Sequence, residues 1–198
     1  DASFSAEDKY GASTNFIISY EILENHAPKV VKDVENILLE GPGDSASLKL
    51  SEYIVDEDGE PLTIKSVATQ ANIATAYSKD ENLIIEGLAY GVTDITVTAT
   101  DAAGKSCSTT FKVAVRDPSV PVSLYPNPVS TVLNVSTAQE MSADIRIVNK
   151  AGATVRELSQ SVSPFAPVAI DMNDCPAGVY SVVFKGGSID GKYTIVKK

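Results

Sequence analysis

Tryptophan is absent from this sequence of 198 residues, histidine occurs once, and cysteine and methionine occur twice each. Because His26 is the single histidine, any Ser-His-Asp triad, Cys-His pair or histidine-rich metal site would have to use that one residue. The motifs GxSxG and HExxH and the phosphate-binding P-loop are also missing. The inventory therefore predicts that this chain is not an enzyme by itself.

Long apolar runs and excess positive charge are missing as well. No apolar run approaches the ~18 residues of a membrane-spanning helix, so the sequence predicts no transmembrane segment. Sixteen Lys and Arg residues stand against 26 Asp and Glu residues, which gives a formal net charge of -10. A surface of that sign repels polyanions, so we exclude nucleic acid as a partner.

The two cysteines, Cys107 and Cys175, lie far apart and follow no zinc-binding spacing. Each lies in or beside a strand-like run, which favours two separate buried thiols. A bridge stays open, since it requires only that their Cα atoms approach within ~7 Å. The first residues, DASFSAEDKYG, are polar and contain no signal peptide, so we expect the export signal to lie upstream of them.

What the sequence does contain is a series of short β-branched or aromatic runs, separated by Gly, Pro, Asn and Asp. No stretch keeps helical spacing over three turns, and Ala68–Tyr77 comes nearest. Many short strands with Gly/Pro turns predict an all-β chain of tandem immunoglobulin-like β-sandwiches. The predicted strands are Asn15–Glu21, Ile37–Leu39, Leu62–Val67, Leu83–Glu86, Ile95–Ala99, Thr109–Val115, Ser123–Tyr125, Val132–Val135, Ile145–Asn149, Val155–Leu158, Val168–Asp171, Val179–Phe184 and Tyr193–Val196.

Two proline-bearing joints divide the chain. ENHAP at 24–28 and RDPSVP at 116–121 each follow closely on a strong strand, as linkers do. An Asp-x-x-Gly turn precedes the last strand before each joint, at Asp8 and at Asp101, so the pattern repeats. We therefore predict the terminal hairpin of a truncated upstream β-sandwich at 1–27, one β-sandwich at 28–118, a linker at 119–122 and a second β-sandwich at 123–198.

The middle segment contains LSEY at 50–53, DEDGEPLT at 56–63, LAYG at 88–91 and VTATD at 97–101. On these residues it resembles a bacterial cadherin-like, immunoglobulin-like module. In such modules the acidic turn closes a hairpin, because Asp and Gly tolerate left-handed backbone. The resemblance implies a fold rather than one activity, since these modules serve as spacers, adhesins and appendages of enzymes.

The last segment contains four ordered blocks, LYPNPVS at 124–130, IRIVNKAG at 145–152, PAGVYSV at 176–182 and GKYTIVKK at 191–198. This series resembles the C-terminal sorting domain of type IX secretion cargo from Bacteroidota. The resemblance implies passage through the inner membrane and recognition by the outer-membrane translocation and sortase machinery. Release or attachment to surface lipopolysaccharide would follow, so the expected location is secreted or cell surface. Cys175 departs from the family, which usually has an apolar residue there.

The resemblance also implies which residues carry the sorting signal. Recognition would use the last strand, by edge pairing or through its lysines. Cleavage would fall in the exposed linker at Asp117, Pro118, Ser119 and Val120. The candidate sorting residues are Gly152, Gly178, Tyr180, Lys192, Ile195, Val196 and Lys197.

The acidic turn of the middle segment offers a candidate cation site. Asp56, Asp58, Glu60 and Asp101 carry the hard oxygen ligands that Ca²⁺ prefers, and Asn25 lies in a joint that resembles the cadherin inter-domain linker. This joint nevertheless lacks part of that linker's acidic charge. The alternative is a solvated turn without metal, so the expected cofactor is either Ca²⁺ or none.

Two further interpretations concern the same region. Paired carboxylates could serve glycoside chemistry, but on a turn they point into water, without the apolar wall that raises one pKa. Tyr10, Tyr20, Tyr53, Tyr77 and Tyr90 could line a carbohydrate-binding face, although half-buried packing positions account for them as well. We predict a non-catalytic C-terminal region of a larger exported protein, such as a protease, with a spacer and a sorting domain. The alternative is a module that binds a glycan, a protein or Ca²⁺ for an upstream hydrolase.

Overall fold

The computed structural model describes residues 1–22 and 24–198. The regular elements are β-strands and one short 3₁₀ helix, which confirms the all-β prediction. None of the described residues forms a helix long and apolar enough to cross a membrane. The strands fall into three groups along the chain, namely a hairpin, a middle sandwich and a C-terminal sandwich.

The first group is a hairpin of strands β1 (Ala2–Glu7) and β2 (Ser13–Ile18), which pair antiparallel. Phe4 lies opposite Phe16, and the centroids of their stacked rings are 5.2 Å apart. Every residue of β2 is exposed. The two phenyl rings stack on each other, and the apolar side chains of β2 remain open to solvent.

The middle sandwich has two main sheets and a small two-stranded sheet beside them. Its strands are β3 (Lys29–Val30), β4 (Ile37–Leu39), β5 (Ser45–Lys49), β6 (Ile54–Val55), β7 (Thr63–Ala68), β8 (Ala74–Lys79), β9 (Asn82–Gly87), β10 (Gly91–Thr100) and β11 (Ser106–Val115), with the 3₁₀ helix at Leu50–Glu52. The sheets have the strand orders β4-β11-β10-β7, β5-β9-β8 and β3-β6. Burial alternates residue by residue along β10, because successive side chains of a strand point to opposite faces. Leu39, Ile85, Ile95 and Phe111 lie in the core that these faces enclose.

The C-terminal sandwich has two sheets of three and four strands. Its strands are β12 (Val122–Tyr125), β13 (Val132–Thr137), β14 (Met141–Val148), β15 (Thr154–Val162), β16 (Val168–Asp171), β17 (Gly178–Gly186) and β18 (Ile189–Lys197). The sheets have the orders β12-β13-β16 and β15-β14-β17-β18. They enclose a second core, around Leu133, Ile145, Phe184 and Ile195, and each such side chain contributes about 1.5–3 kcal/mol when fully buried. Because the two cores share no residue, each sandwich has its own source of stability.

One turn geometry recurs at three hairpins. In each, a side-chain oxygen of Asp or Asn accepts the backbone N–H of the residue four positions later, at 2.8–3.0 Å. The glycine three positions later has φ between +84° and +90°, a left-handed conformation that favours a residue without Cβ. The turns begin at Asp8, Asp101 and Asn149.

The acidic turn of the middle sandwich differs from its prediction. Asp56 Oδ1 accepts the backbone N–H of Asp58 at 2.9 Å, and Gly59 has a φ of +72°, so the local turn chemistry is as expected. The strands on either side of the turn, however, do not pair with each other. Strand β6 pairs with β3, and β7 pairs with β10. The turn therefore carries the chain between two sheets and does not close a hairpin.

The two cysteines are free thiols. Cys107 packs against the middle core, whereas Cys175 belongs to the C-terminal core. Separate thiols, the favoured alternative from the sequence, are therefore confirmed.

Candidate functional site

The last strand, β18, divides the candidate sorting residues between two faces. Ile195 is fully buried in the core, and Lys197 on the same face is only 8% exposed. Lys192 and Val196 point outward. Alternation along the strand causes this division, so only the outward-facing pair is accessible to a receptor.

Lys197 departs from the expectation that the terminal lysines present charge along the strand edge. Its stem lies on the buried face, and its ammonium group donates a hydrogen bond to the carbonyl oxygen of Lys198. The aliphatic part of lysine can pack on apolar surface while the ammonium group turns to a polar partner. Lys192 is therefore the candidate lysine whose side chain is freely exposed on β18.

The outer edge of β18 is partly covered by the YPNP segment. Asn127 Oδ1 accepts the backbone N–H of Val196 at 3.0 Å, and Asn127 Nδ2 donates to the carbonyl oxygen of Thr194 at 3.2 Å. Val129, which is fully buried, then forms a parallel bridge with Lys197. Its N–H donates to the carbonyl of Val196 at 2.8 Å, and its carbonyl accepts the N–H of Lys198 at 2.9 Å. Edge pairing by a receptor is thus restricted to the first half of the strand.

Tyr180 lies in the core of the C-terminal sandwich. It is only 6% exposed, and its hydroxyl donates a hydrogen bond to the carbonyl oxygen of Pro176 at 2.8 Å. A tyrosine that returns to the backbone a few residues upstream fixes the approach to its strand, as in the tyrosine corner of immunoglobulin-like domains. Tyr180 therefore holds the PAG turn against the start of β17.

The two candidate glycines occupy different positions. Gly152 lies in the turn between β14 and β15 with a φ of +84°. Gly178 is the first residue of β17, opposite Lys197, with a φ of +158° that is close to extended. Gly152 therefore has the left-handed conformation of a tight turn, whereas Gly178 begins a strand.

The candidate cleavage linker is folded rather than extended. Asp117 Oδ1 accepts the backbone N–H of Ser119 at 2.9 Å and its hydroxyl at 2.6 Å, and these bonds lower the pKa of Asp117. Arg116 is buried, and its guanidinium group donates to the carbonyl oxygen of Val120 at 2.5 Å. Pro118 and Ser119 remain exposed. The joint therefore presents a tight exposed loop whose ends are tied together.

Of the four candidate metal ligands, Asp58 and Asp101 bond to residues of the joint, whereas Asp56 and Glu60 each have one carboxylate oxygen without a partner among the described residues. Asp58 accepts the backbone N–H of His26 at 2.5 Å and lies 3.1 Å from His26 Nδ1. Asp101 accepts a hydrogen bond from the Asn25 amide at 3.0 Å. The second carboxylate oxygens of Asp56 and Glu60, Oδ2 and Oε2, are buried without a hydrogen-bond partner in the described part of the chain.

These contacts shift the pKa values at the joint. The Asp58 carboxylate, which accepts a hydrogen bond from the His26 ring, raises the pKa of His26, and the His26 backbone N–H lowers the pKa of Asp58. The Asn25 amide lowers the pKa of Asp101. A cleft of about 450 Å³ opens here, lined by Glu24, Asn25, His26, Asp58 and Glu60. No group of three or more His, Cys, Asp or Glu side chains among residues 1–22 and 24–198 is arranged to hold a metal ion.

The tyrosines considered for carbohydrate binding have separate environments. Tyr53 packs against the middle core, with the Lys32 ammonium 5.1 Å from its ring centroid. The hydroxyl of Tyr77 donates to Glu86 at 2.8 Å, which raises the pKa of Tyr77. Tyr10 lies on the separate N-terminal hairpin. These contacts provide local packing and hydrogen bonding rather than one shared platform.

Sequence reasoning missed Asn127, Val129 and Arg116 as structurally important positions. The YPNP block was visible as a motif, but its partner residues lie 67 and 69 positions later in the chain. An asparagine between two prolines, where a strand cannot continue, is the local signal that its side chain replaces a backbone neighbour.

One family model matches the C-terminal sandwich. Residues 123–198 match the family model described as secretion system C-terminal sorting domain. A search of curated proteins gave no match. Among solved structures, dimeric latent PorU from Porphyromonas gingivalis matches with 16% identity and a TM-score of 0.28, over 88% of this chain and 20% of that chain.

Two human proteins are also similar. The desmocollin-1 ectodomain matches with 12% identity and a TM-score of 0.37, over 88% of this chain and 37% of that one. Protocadherin-24 EC1-2 matches with 15% identity and a TM-score of 0.38, over 88% of this chain and 99% of that one. The chain thus spans less than half the length of the first two structures. Residues 123–198 match the C-terminal sorting domain of type IX secretion, which indicates export and cell-surface attachment, and a β-sandwich region precedes them.

Proposed function

We propose that this chain is the non-catalytic C-terminal region of a larger exported protein, in which residues 123–198 direct type IX secretion and surface attachment. The observation that carries the proposal is the family match at 123–198. The outward face of β18, where Lys192 is accessible, supports a docking role for this strand. The outer-membrane translocation and sortase machinery is the proposed partner.

A charge reversal on β18 tests this role without disturbing the core. Deletion of Gly191–Lys198 would abolish recognition, but it also removes buried Ile195 and so weakens the fold. Lys192→Glu changes only an exposed side chain, and Lys65→Glu, at an exposed position of β7 in the middle sandwich, is a matched control. We expect surface delivery of the full chain to fall for Lys192→Glu and to persist for Lys65→Glu. Normal delivery with both the deletion and the Lys192 variant would contradict the role of the strand.

We propose that the middle sandwich is a spacer between the sorting domain and the upstream part of the protein. Its separate core supports this role, because the sandwich can hold two neighbours apart without borrowing stability from either. Cleavage is proposed at Asp117–Val120, where Pro118 and Ser119 are exposed. The hydrogen bond from Arg116 to Val120 has to open before a protease can extend this loop in its active site.

The hairpin β1–β2 gives a reason to propose an upstream domain. Its register corresponds to that of β10–β11, with Asp8 in the place of Asp101. One face of β10–β11 is buried in the middle core. The matching face of the hairpin carries the apolar residues Phe4, Phe16 and Ile18, and each of them is about half exposed. We propose that this face completes a further sandwich of the same protein, and that the upstream part contains an enzyme such as a protease.

A second candidate function is Ca²⁺ binding at the joint between the hairpin and the middle sandwich. The orphaned buried carboxylate oxygens of Asp56 and Glu60 favour it, since an unpaired buried carboxylate is costly and a cation would satisfy it. The test is melting of the full chain with Ca²⁺ against a chelator. Ca²⁺ at 100 times its Kd stabilises by about 2.7 kcal/mol, an effect that Asp56→Asn should remove. Equal melting temperatures with Ca²⁺ and with the chelator would contradict a metal-binding role for the acidic turn.

A further inference from the structure

Asn127 supplies to β18 what a neighbouring strand would supply. The alternate residues Thr194, Val196 and Lys198 turn their backbone groups away from β17, and an edge of this kind needs a partner or water. The Asn127 amide meets the Thr194 carbonyl and the Val196 N–H at once. Val129, two residues later, continues the same ladder in parallel to Val196 and Lys198.

The chemistry of the contact is specific to a carboxamide. The amide presents one acceptor and two donors on a single plane, and here its oxygen faces an N–H while its nitrogen faces a carbonyl. Aspartate keeps the acceptor but loses the donor, and it places a negative charge beside the Thr194 carbonyl. Alanine loses both bonds. The two prolines that flank Asn127 remove backbone donors from the segment, so the side chain is its remaining route to these two groups.

The contact divides the edge of β18 into two parts. The second half, Thr194–Lys198, is sealed by Asn127 and Val129. The first half includes exposed Asp190 and Lys192, whose outward backbone groups have no protein partner in the part of the chain that the structure describes. The first and last blocks of the sorting domain are therefore physically one surface, although they are separated by about the full length of the domain in sequence.

We propose that Asn127 is a positioning residue of the sorting signal, which holds the C-terminal strand so that the secretion machinery recognises a composite of the YPNP segment and β18. A free C-terminal tail is then not the recognised form. The proposal rests on the sorting function proposed above. It deepens that function by assigning a residue outside the last strand to the same recognition surface.

Hydrogen exchange on the full chain tests the positioning role. With Asn127→Ala, we expect the Val196 N–H to exchange about tenfold faster, because the variant loses both hydrogen bonds that the carboxamide makes to β18. The N–H groups in the middle of β14 should remain protected, and the melting temperature should fall by only a few degrees. Asn127→Gln keeps the carboxamide and should restore part of the protection, whereas Asn127→Asp should restore less. Asn173→Ala, an exposed asparagine in the β16–β17 loop, is the matched control.

Delivery to the surface is then measured for the same variants fused to a reporter. The expected order is wild type, Gln, Asp and Ala, in parallel with protection at Val196 rather than with melting temperature. Unchanged exchange in Asn127→Ala would show that the amide does not hold the strand. Faster exchange with normal delivery would show that the held form is not what the machinery recognises.

The outcome also separates this proposal from the sorting function itself. If Lys192→Glu or deletion of Gly191–Lys198 blocks delivery and Asn127→Ala does not, the sorting role of β18 survives and the role of Asn127 fails. If none of these variants affects delivery, the sorting role of the strand fails as well.

Discussion

The position of a residue in a sequence block does not show whether its side chain is buried or exposed in this chain. Tyr180, Ile195 and Lys197 were candidate sorting residues, yet each is buried in the C-terminal sandwich. Asn127, by contrast, is exposed and joins two distant blocks. The sequence shows which blocks occur together, but it does not show which side chains within a block face solvent.

Tyr180 is expected to act through stability. Tyr180→Phe keeps the buried ring and removes the hydroxyl that bonds Pro176, so the free energy of unfolding should fall by about 0.5–1.5 kcal/mol. Denaturant unfolding of the full chain measures this change, and surface delivery should remain near normal at temperatures where the variant is folded. Lost delivery without lost stability would instead make the hydroxyl part of the recognition surface.

His26 is expected to titrate above its ordinary value. The hydrogen bond with Asp58 raises its pKa from 6.5, so the pair stabilises the joint below that ordinary value and loses this contribution as the pH rises through the raised pKa. The pKa of Asp58 is lowered, so its contribution is present above the ordinary Asp value and is lost as the pH falls through the lowered one. The titration of the single histidine by NMR measures the shift, and Asp58→Asn should return it to the ordinary value. A pKa at or below 6.5 in the unmodified chain would contradict the contact.

At the scale of elements, alternation predicted most of the long strands. Strands β4 and β16 have the predicted bounds, and β10, β11, β15 and β17 contain the predicted runs within longer elements. Strand β14 overlaps its predicted run but ends one residue before Asn149. The missed strands are β1, β3, β5, β6 and β8, which are either two residues long or poor in large apolar side chains. Their structure depends on neighbours supplied by the fold, which local pattern does not contain.

The sequence predicts the positions of strands better than it predicts which strands pair with each other. The Asp56–Gly59 turn has the composition of a hairpin turn, but the adjoining strands find their partners in different sheets. The contacts of Asn127 depend likewise on the meeting of the first and last parts of the C-terminal sandwich. Such information resides in tertiary packing rather than in the turn or the motif itself.

The recurring Asx-Gly turn makes a prediction about independent elements. Gly152→Ala puts a Cβ on a residue with a φ of +84°, which costs about 1–2 kcal/mol in the left-handed region. Because the two cores share no residue, the loss should lower only the unfolding transition of the C-terminal sandwich. Calorimetry of the full chain separates the two transitions, and an equal shift of both would contradict the independence of the sandwiches.

At the scale of the whole molecule, the net charge of the chain changes at the boundary between the two sandwich cores. Residues 121–198 contain seven Lys and Arg against six Asp and Glu, so the acidic excess of the chain lies entirely before them. Residues 121–198 are therefore nearly neutral, and we expect the proposed recognition to depend on local groups such as Lys192 rather than on a long-range field. A cavity of about 120 Å³ between Tyr90 and the β12 residues Ser123 and Tyr125 marks the junction of the two sandwiches.

The N-terminal hairpin should be dispensable for the stability of both sandwiches. Removal of residues 1–22 leaves Asn25 and His26, which contact the middle sandwich, in place. We expect the free energy of unfolding of each sandwich to change by less than about 1 kcal/mol, which is the typical effect of a single mutation. A larger loss would mean that the apolar face of the hairpin packs on this chain and is not reserved for an upstream domain.

The most direct test of the central claim is the fate of a periplasmic reporter fused to residues 119–198. The C-terminal sandwich has its own complete core, so the fusion should fold. In a bacterium with the type IX machinery, we predict that the reporter reaches the surface or the medium, and that a strain without the machinery retains it in the periplasm. Retention in both strains would contradict the claim, and it would limit the resemblance to the fold.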